Sequence, residues 1–159
     1  MELLRFRRFH ATDLPAYAAW FADEELARRA PFPDGDWLGD VTAGEGVVAE
    51  IASLHAEGAP VAVIRYEEEG DGGMTLFIAV DPTQRRTGIG RRVLKAFAER
   101  AAERFSHIEV YVERDNAAAV ALMRGCGFRL IDGPDDEGFV PYRLSLAGLP
   151  LKAGSSLKD

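Results

Sequence analysis

Apolar and polar positions alternate along this chain in two different periods, and the changes between them mark its elements. Met1 to Phe9 alternates as a strand does, with Leu4, Phe6 and Arg8 on one face. Thr12 and Asp13 then precede Leu14-Pro15, a helix-start signal with proline in the first turn. Leu14, Tyr17, Ala18 and Phe21 follow at helical spacing. A second short helix is expected over Asp23 to Arg29, stopping before Pro31 and Pro33. Residues 34–40 read as a loop in which Trp37 and Leu38 pack. The stretch 47–55 carries both signals. Thr42 and Glu45 have capping-box spacing, but Gly44 and Gly46 are weak helix formers, and strand is the preferred reading. Glu57-Gly58 looks like a hairpin turn into a strand at Val61 to Ile64, and residues 67–73 (EEEGDGG) read as a solvated turn. Met74 to Val80 is a near-continuous apolar run, the pattern of a buried strand.

The clearest helix is expected over Gly88 to Phe105. Val93, Leu94, Phe97, Ala98, Ala101 and Phe105 form one stripe, with Lys95, Glu99, Arg100, Glu103 and Arg104 outside it. Ile108 to Val112 reads as a strand and Asn116 to Arg124 as a helix ended by Gly125 and Gly127. Strands at Phe128 to Ile131 and Phe139 to Leu146 flank a loop at 132–138. This order predicts a mixed α/β (α+β) fold, not the strict alternation of a doubly wound sheet. Residues 1–149 are expected to form one domain and 150–159 a loose tail.

Composition narrows the function. A net charge of −7 argues against a general nucleic-acid binder and mildly favours a cationic ligand. Cys126 is the only cysteine, so neither an intramolecular disulfide nor a zinc site built on Cys pairs is available. No metal site is expected. No run of apolar residues is long enough to span a membrane, and the amino terminus lacks a signal-peptide core, so a cytoplasmic location without membrane partners is expected.

The segment Val80-Asp81-Pro82-Thr83-Gln84-Arg85-Arg86-Thr87-Gly88-Ile89-Gly90-Arg91 joins the most apolar strand to the best helix. A helix start offers unpaired N–H groups and a partial positive charge, and glycine lets a ligand approach the backbone. Arg85, Arg86, Arg91 and Arg92 oppose the helix dipole there, so their clustering is better explained by a bound polyanion than by stability. The Walker pattern GxxxxGK[ST] is absent, and Gly88-Ile89-Gly90 lacks the third glycine of a dinucleotide fingerprint.

Arg85-Arg86-Thr87-Gly88-Ile89-Gly90 resembles the R/Q-x-x-G-x-G/A signature of the GNAT superfamily of N-acetyltransferases. A second block is similar to that family's V-x-x-x-N-x-x-A-x-x-L-Y-x-x-x-G-F: Val112, Asn116, Ala119, Leu122, then Gly127-Phe128. The resemblance implies a mixed, mostly antiparallel sheet, flanked by helices and splayed beside the phosphate turn, with acetyl-CoA as cosubstrate. It implies that backbone N–H groups of Arg85, Arg86, Thr87, Gly88, Ile89 and Gly90 meet the diphosphate, with Arg91 beside them. Ile78, Ala79 and Val80 would pair with the pantetheine arm. Asn116 would touch the cofactor or cap its helix, and Met123 would line the thioester pocket.

The family's tyrosine is Met123 here, and a thioether has no proton to give. Tyr111 is the substitute candidate for the acid, and Glu113 for a base acting through water; the strand at 74–80 offers no carboxylate. A packed aromatic and a solvated glutamate are the plain alternatives. His10, His55 and His107 have no catalytic company in sequence, and Cys126 reads as a small packed residue. The expected function is acetyl transfer from acetyl-CoA to a primary amine, with the acidic balance favouring a cationic one; a homodimer is left open. A GNAT-like acyl-CoA-binding module without efficient chemistry and an unrelated phosphate binder are the competing readings.

Overall fold

The computed structural model describes residues 3–55 and 58–149; the expected tail, the first two residues and Glu57 of the expected turn lie outside that range. Strands run over Arg5–Arg8 (β1), Val47–Ser53 (β2), Pro60–Glu68 (β3), Gly73–Val80 (β4), His107–Glu113 (β5), Arg129–Leu130 (β6) and Phe139–Ser145 (β7). Helices cover Leu14–Ala19 (α1), Glu24–Arg29 (α2), Gly35–Thr42 (α3), Ile89–Ala101 (α4) and Ala117–Gly125 (α5). The seven strands follow the order β1-β2-β3-β4-β5-β7-β6. The β4–β5 pair is parallel, whereas β1–β2, β2–β3, β5–β7 and β6–β7 are antiparallel. This is the mixed, mostly antiparallel α/β architecture expected from the order of elements.

The chain forms two compact units, and β4 and α4 each run from one into the other. The first comprises Met1–Glu67 and Phe77–Gly90. Its core gathers Phe9, Tyr17, Leu26, Trp37, Val41, Ala49, Ile51, Val63 and Ala79. Tyr17 is the hub of its aromatic cluster, with ring centroids 5.3 Å from Phe21, 5.4 Å from Trp20 and 5.5 Å from Trp37. The second unit comprises Glu68–Leu76 and the chain from Arg91 onwards. There Val93, Leu94, Phe97, Ala98 and Ala101 of α4 are buried, the expected stripe without Phe105, which lies past the helix and is half-buried, and Ile108, Val110 and Val112 of β5 are buried as well.

Several boundaries differ from the sequence reading. Residues 34–40 are not a loop: α3 begins there because the Asp34 carboxylate accepts from Trp37 N–H at 2.9 Å, and Trp37 and Val41 bury one face. Gly35 and Gly39 lower its helix propensity, and burial of that face overrides them. Glu67 and Glu68 belong to β3 rather than to the turn, which narrows to residues 69–72 and closes with Glu69 N–H donating to Gly73 O. The helix after the phosphate turn ends at Ala101, not Phe105. Glu103 and Arg104 switch to tighter bonds, donating to the carbonyls of Arg100 and Ala101, and Ser106 N–H then bonds Gly72 O on entry to β5. Residues 47–53 are strand, as preferred, and the following turn bonds Gly58 N–H to His55 O.

Candidate functional site

In the first unit β4 hands over to the turn that opens α4. Asp81 N–H donates to Val61 O at 2.9 Å. Regular strand alternation then turns the backbone N–H and C=O of Val80 and Ile78 away from β3. Side chains show a matching change. On the even-numbered face Met74 and Leu76 are buried, whereas Ile78 and Val80 are only half-buried. The β4–β5 ladder itself comprises Gly73, Met74 and Thr75 opposite His107, Ile108 and Glu109.

The turn is built by short-range bonds. The Asp81 carboxylate accepts from Thr83 N–H and Oγ1, both at 2.9 Å, fixing a single 3-10 turn at Pro82–Gln84. Thr87 Oγ1 donates to Gln84 O at 2.6 Å and accepts from Ile89 N–H at 3.4 Å. Arg86 and Gly88 lie in the left-handed region, at φ 63° and 81°. Glycine adopts that backbone freely, but arginine does so at a cost of about 1–2 kcal/mol. Alternating left-handed residues turn successive N–H groups into one concavity, the arrangement that holds anions. Arg85, Arg86, Thr87 and Gly88 are exposed, and Ile89 beneath them is buried. The turn is therefore open, not packed shut. Gly90 N–H lies in the first turn of α4 and has no helical carbonyl to bond.

Arg85 does something the sequence did not announce. Its guanidinium forms a bidentate pair with Asp23, Nη1–Oδ1 at 2.9 Å and Nη2–Oδ2 at 2.5 Å. The same carboxylate caps α2 by accepting from Leu26 N–H at 2.9 Å. The Arg85 hydrogen bond, more than the cap, lowers the Asp23 pKa to about 2. The expected helix over Asp23 to Arg29 begins one residue later, with Asp23 as its cap, and nothing in sequence signalled a partner 62 positions away.

The remaining expected site residues belong to the second unit. Arg91 is exposed and lies against Gly125, whose missing side chain leaves room for the guanidinium. Asn116 caps α5, its Oδ1 accepting from Ala119 N–H at 3.1 Å. Met123 is 1% exposed, a core residue of α5. Tyr111 and Glu113 share one face of β5 by strand alternation. Tyr111 is 47% exposed, and its hydroxyl donates to Glu109 Oε1 at 2.9 Å. That bond to a carboxylate holds the phenol pKa above its ordinary value and makes it a weaker acid. Glu109 is in turn gripped by Arg143, its cross-strand neighbour, which lowers the carboxyl pKa. Tyr111 borders a cleft of about 380 Å³ with Glu69, Asp71, Met74, Thr75, His107 and Glu109. His107 contacts Ser106 Oγ through Nδ1 at 2.9 Å and Asp71 through Nε2 at 3.5 Å, company not evident from sequence.

A sequence profile described as the acetyltransferase (GNAT) family matches residues 6–128. The chain belongs to that family. It is accordingly an acetyl-CoA-dependent N-acetyltransferase by class. Among solved structures, a spermidine N-acetyltransferase from Vibrio cholerae, in complex with CoA and spermine, is similar with a TM-score of 0.77 at 14% identity. That match covers 90% of this chain and 95% of the other. The aminoglycoside acetyltransferase AAC(6')-Ib in complex with coenzyme A gives a TM-score of 0.75 at 17% identity, over 90% and 95% of the two chains. The ribosomal-protein-S18-alanine N-acetyltransferase from Escherichia coli gives 0.67 at 24% identity, over 93% and 97%. At such identities the likeness establishes the fold. No curated protein matches the chain by sequence. Among the described residues no helix is long and apolar enough to cross a membrane, and no cluster of His, Cys, Asp and Glu could hold a metal ion.

Proposed function

We propose that this GNAT acetyltransferase moves the acetyl group of acetyl-CoA directly onto a primary amine, with residues 1–149 acting as one catalytic domain. The observation that carries the cosubstrate is the exposed turn with left-handed Arg86 and Gly88 at the head of α4. Strain retained on an open surface is the mark of a site shaped for a ligand. In this reading the backbone N–H groups of Arg85 to Gly90 receive the diphosphate, with Arg91 adding charge. The strand edge at Ile78, Ala79 and Val80 receives the pantetheine arm, and Asn116 and Met123 remain the further candidates for contact with the cofactor.

The neutral amine nitrogen attacks the thioester carbonyl carbon; the C–N bond forms, the C–S bond breaks, and the amine proton ends on the thiolate or in solvent. A thiol of pKa ~8.5 leaves readily, so acid help is useful rather than essential. Tyr111 is assigned the proton donor and Glu113 the base acting through water. A net charge of −7 favours a cationic amine. The similar structures include an aminoglycoside acetyltransferase and a spermidine N-acetyltransferase in complex with spermine, and such amines are cationic. A consumer of acetyl-CoA is placed in the cytoplasm, and a homodimer is open to test by light scattering.

The test is thiol release from acetyl-CoA across small amines, polyamines, aminoglycosides and peptide amino termini, beside calorimetric binding of CoA. Release with at least one amine supports the assignment, and absence of CoA binding at millimolar concentration ends it. A second reading, an acyl-CoA-binding module with little or no catalysis, is favoured by two observations. Met123 stands buried where the family's tyrosine would be, and the Tyr111 hydroxyl is already bonded to Glu109. CoA binding without thiol release on any amine would select it.

A further inference from the structure

The Asp23–Arg85 pair joins the start of α2 to the phosphate turn, both within the first unit. Arg85 is the first residue of the phosphate turn, directly before left-handed Arg86. Its backbone is extended, at φ −62° and ψ 146°, so a side chain held from outside can fix where the turn begins. Asp23 is a rigid holder: its backbone ends the short 3-10 turn at Trp20–Ala22, and its carboxylate is already set by capping α2. A guanidinium–carboxylate fork is also the most directional of the charged pairs. The pair consumes the Arg85 donors that would otherwise face a phosphate, which leaves the turn's N–H groups, with Arg86 unencumbered by it, to meet the ligand.

Resting on the acetyl-transfer reading, we infer that Asp23 is a positioning residue for the cosubstrate: through Arg85 it holds the phosphate turn in its anion-binding shape. Asp23 touches no reacting atom. Its effect is confined to CoA affinity, since a preformed turn spares the ligand the cost of ordering it.

Asp23→Asn separates the two duties of this residue. Asparagine caps a helix as well as aspartate does, so α2 is kept while the ion pair is lost, and the unliganded melting midpoint falls only by the small share of an exposed pair. The Kd for CoA, measured by calorimetry, is expected to rise roughly three- to fivefold in Asp23→Asn and in Arg85→Gln, the scale of a well-formed exposed pair. The double variant is expected to be no weaker than the worse single one, because either change already breaks the pair. With any amine of the panel that turns over, KM for acetyl-CoA is expected to rise by that factor with kcat little changed.

An unchanged or tightened CoA Kd in Asp23→Asn would overturn the inference, tightening meaning that Asp23 sequesters a phosphate ligand instead of setting the turn. Losses in the two single variants that simply add would overturn it as well. A wild-type protein that bound no CoA would be a different failure, that of the acetyl-transfer reading itself.

Discussion

Replacing Gly88 by alanine tests the phosphate turn through its backbone alone. Gly88 sits at φ 81°, and a Cβ built there meets no atom within 4 Å. The substitution therefore introduces no clash, and its whole cost is the left-handed conformation of an L-residue, about 1–2 kcal/mol. For a chain of this length each kcal/mol shifts the melting midpoint by ~2–4 °C, so a fall of roughly 2–8 °C is expected. If the turn relaxes to avoid the strain, the loss moves from the melting midpoint to CoA affinity, because the N–H groups change direction. Gly39→Ala is the control. Gly39 also has nothing within 4 Å, but it lies inside α3 without a positive φ. Alanine there removes a poor helix former, so the midpoint should rise, the gain being up to about 1 kcal/mol. Differential scanning calorimetry with and without CoA reads both variants. A Gly88→Ala protein with wild-type midpoint and wild-type CoA affinity would refute the link between the left-handed turn and anion binding.

Tyr111→Phe should lower thiol release by ~10²–10⁴-fold, the range a general acid supplies, if Tyr111 gives the proton, and unchanged turnover would remove it from that role. Met123→Tyr, which restores the family's residue, should lower stability by about 1–3 kcal/mol in a thermal melt, since a larger ring must enter a site with 1% exposure. Acid should destabilise the protein. Asp23, Asp13 and Glu109 all have folded-state pKa values below the ordinary carboxylate range, each lowered first by its arginine partner. Their stabilisation is complete above the unfolded values near 4 and is lost as pH falls through the folded ones, about 2 for Asp23. A melting midpoint that fell steadily below pH 4 would agree, and Arg143→Gln should flatten the Glu109 share of that fall.

The sequence reading succeeded where one local signal decided the structure. The α4 stripe has helical period over three turns, and the turn before it could be placed because Gly88 and Gly90 stand between an apolar strand and that helix, where the backbone is open to a ligand. α3 was hidden because Gly35 and Gly39 weaken its propensity, while the burial of Trp37 and Val41 that stabilises it is tertiary. The Asp23–Arg85 and Glu109–Arg143 pairs were hidden for a related reason. Each joins residues far apart in sequence, and cross-strand register or turn geometry, not periodicity, brings them within reach. Tyr111 was legible as a residue facing away from the buried side of β5, but not as a hydroxyl already bonded to its neighbour two residues back.

The aromatic cluster around Tyr17 has a practical corollary. Both tryptophans of the chain, Trp20 and Trp37, lie within ring contact of that one side chain. Tryptophan emission, excited selectively, therefore reports on the first compact unit, while the second, with Tyr111 and Tyr142, contributes only tyrosine emission. An emission trace followed during denaturation and a far-ultraviolet dichroism trace will superimpose only if the two units come apart together, so the protein carries its own optical gauge of cooperativity, without a label.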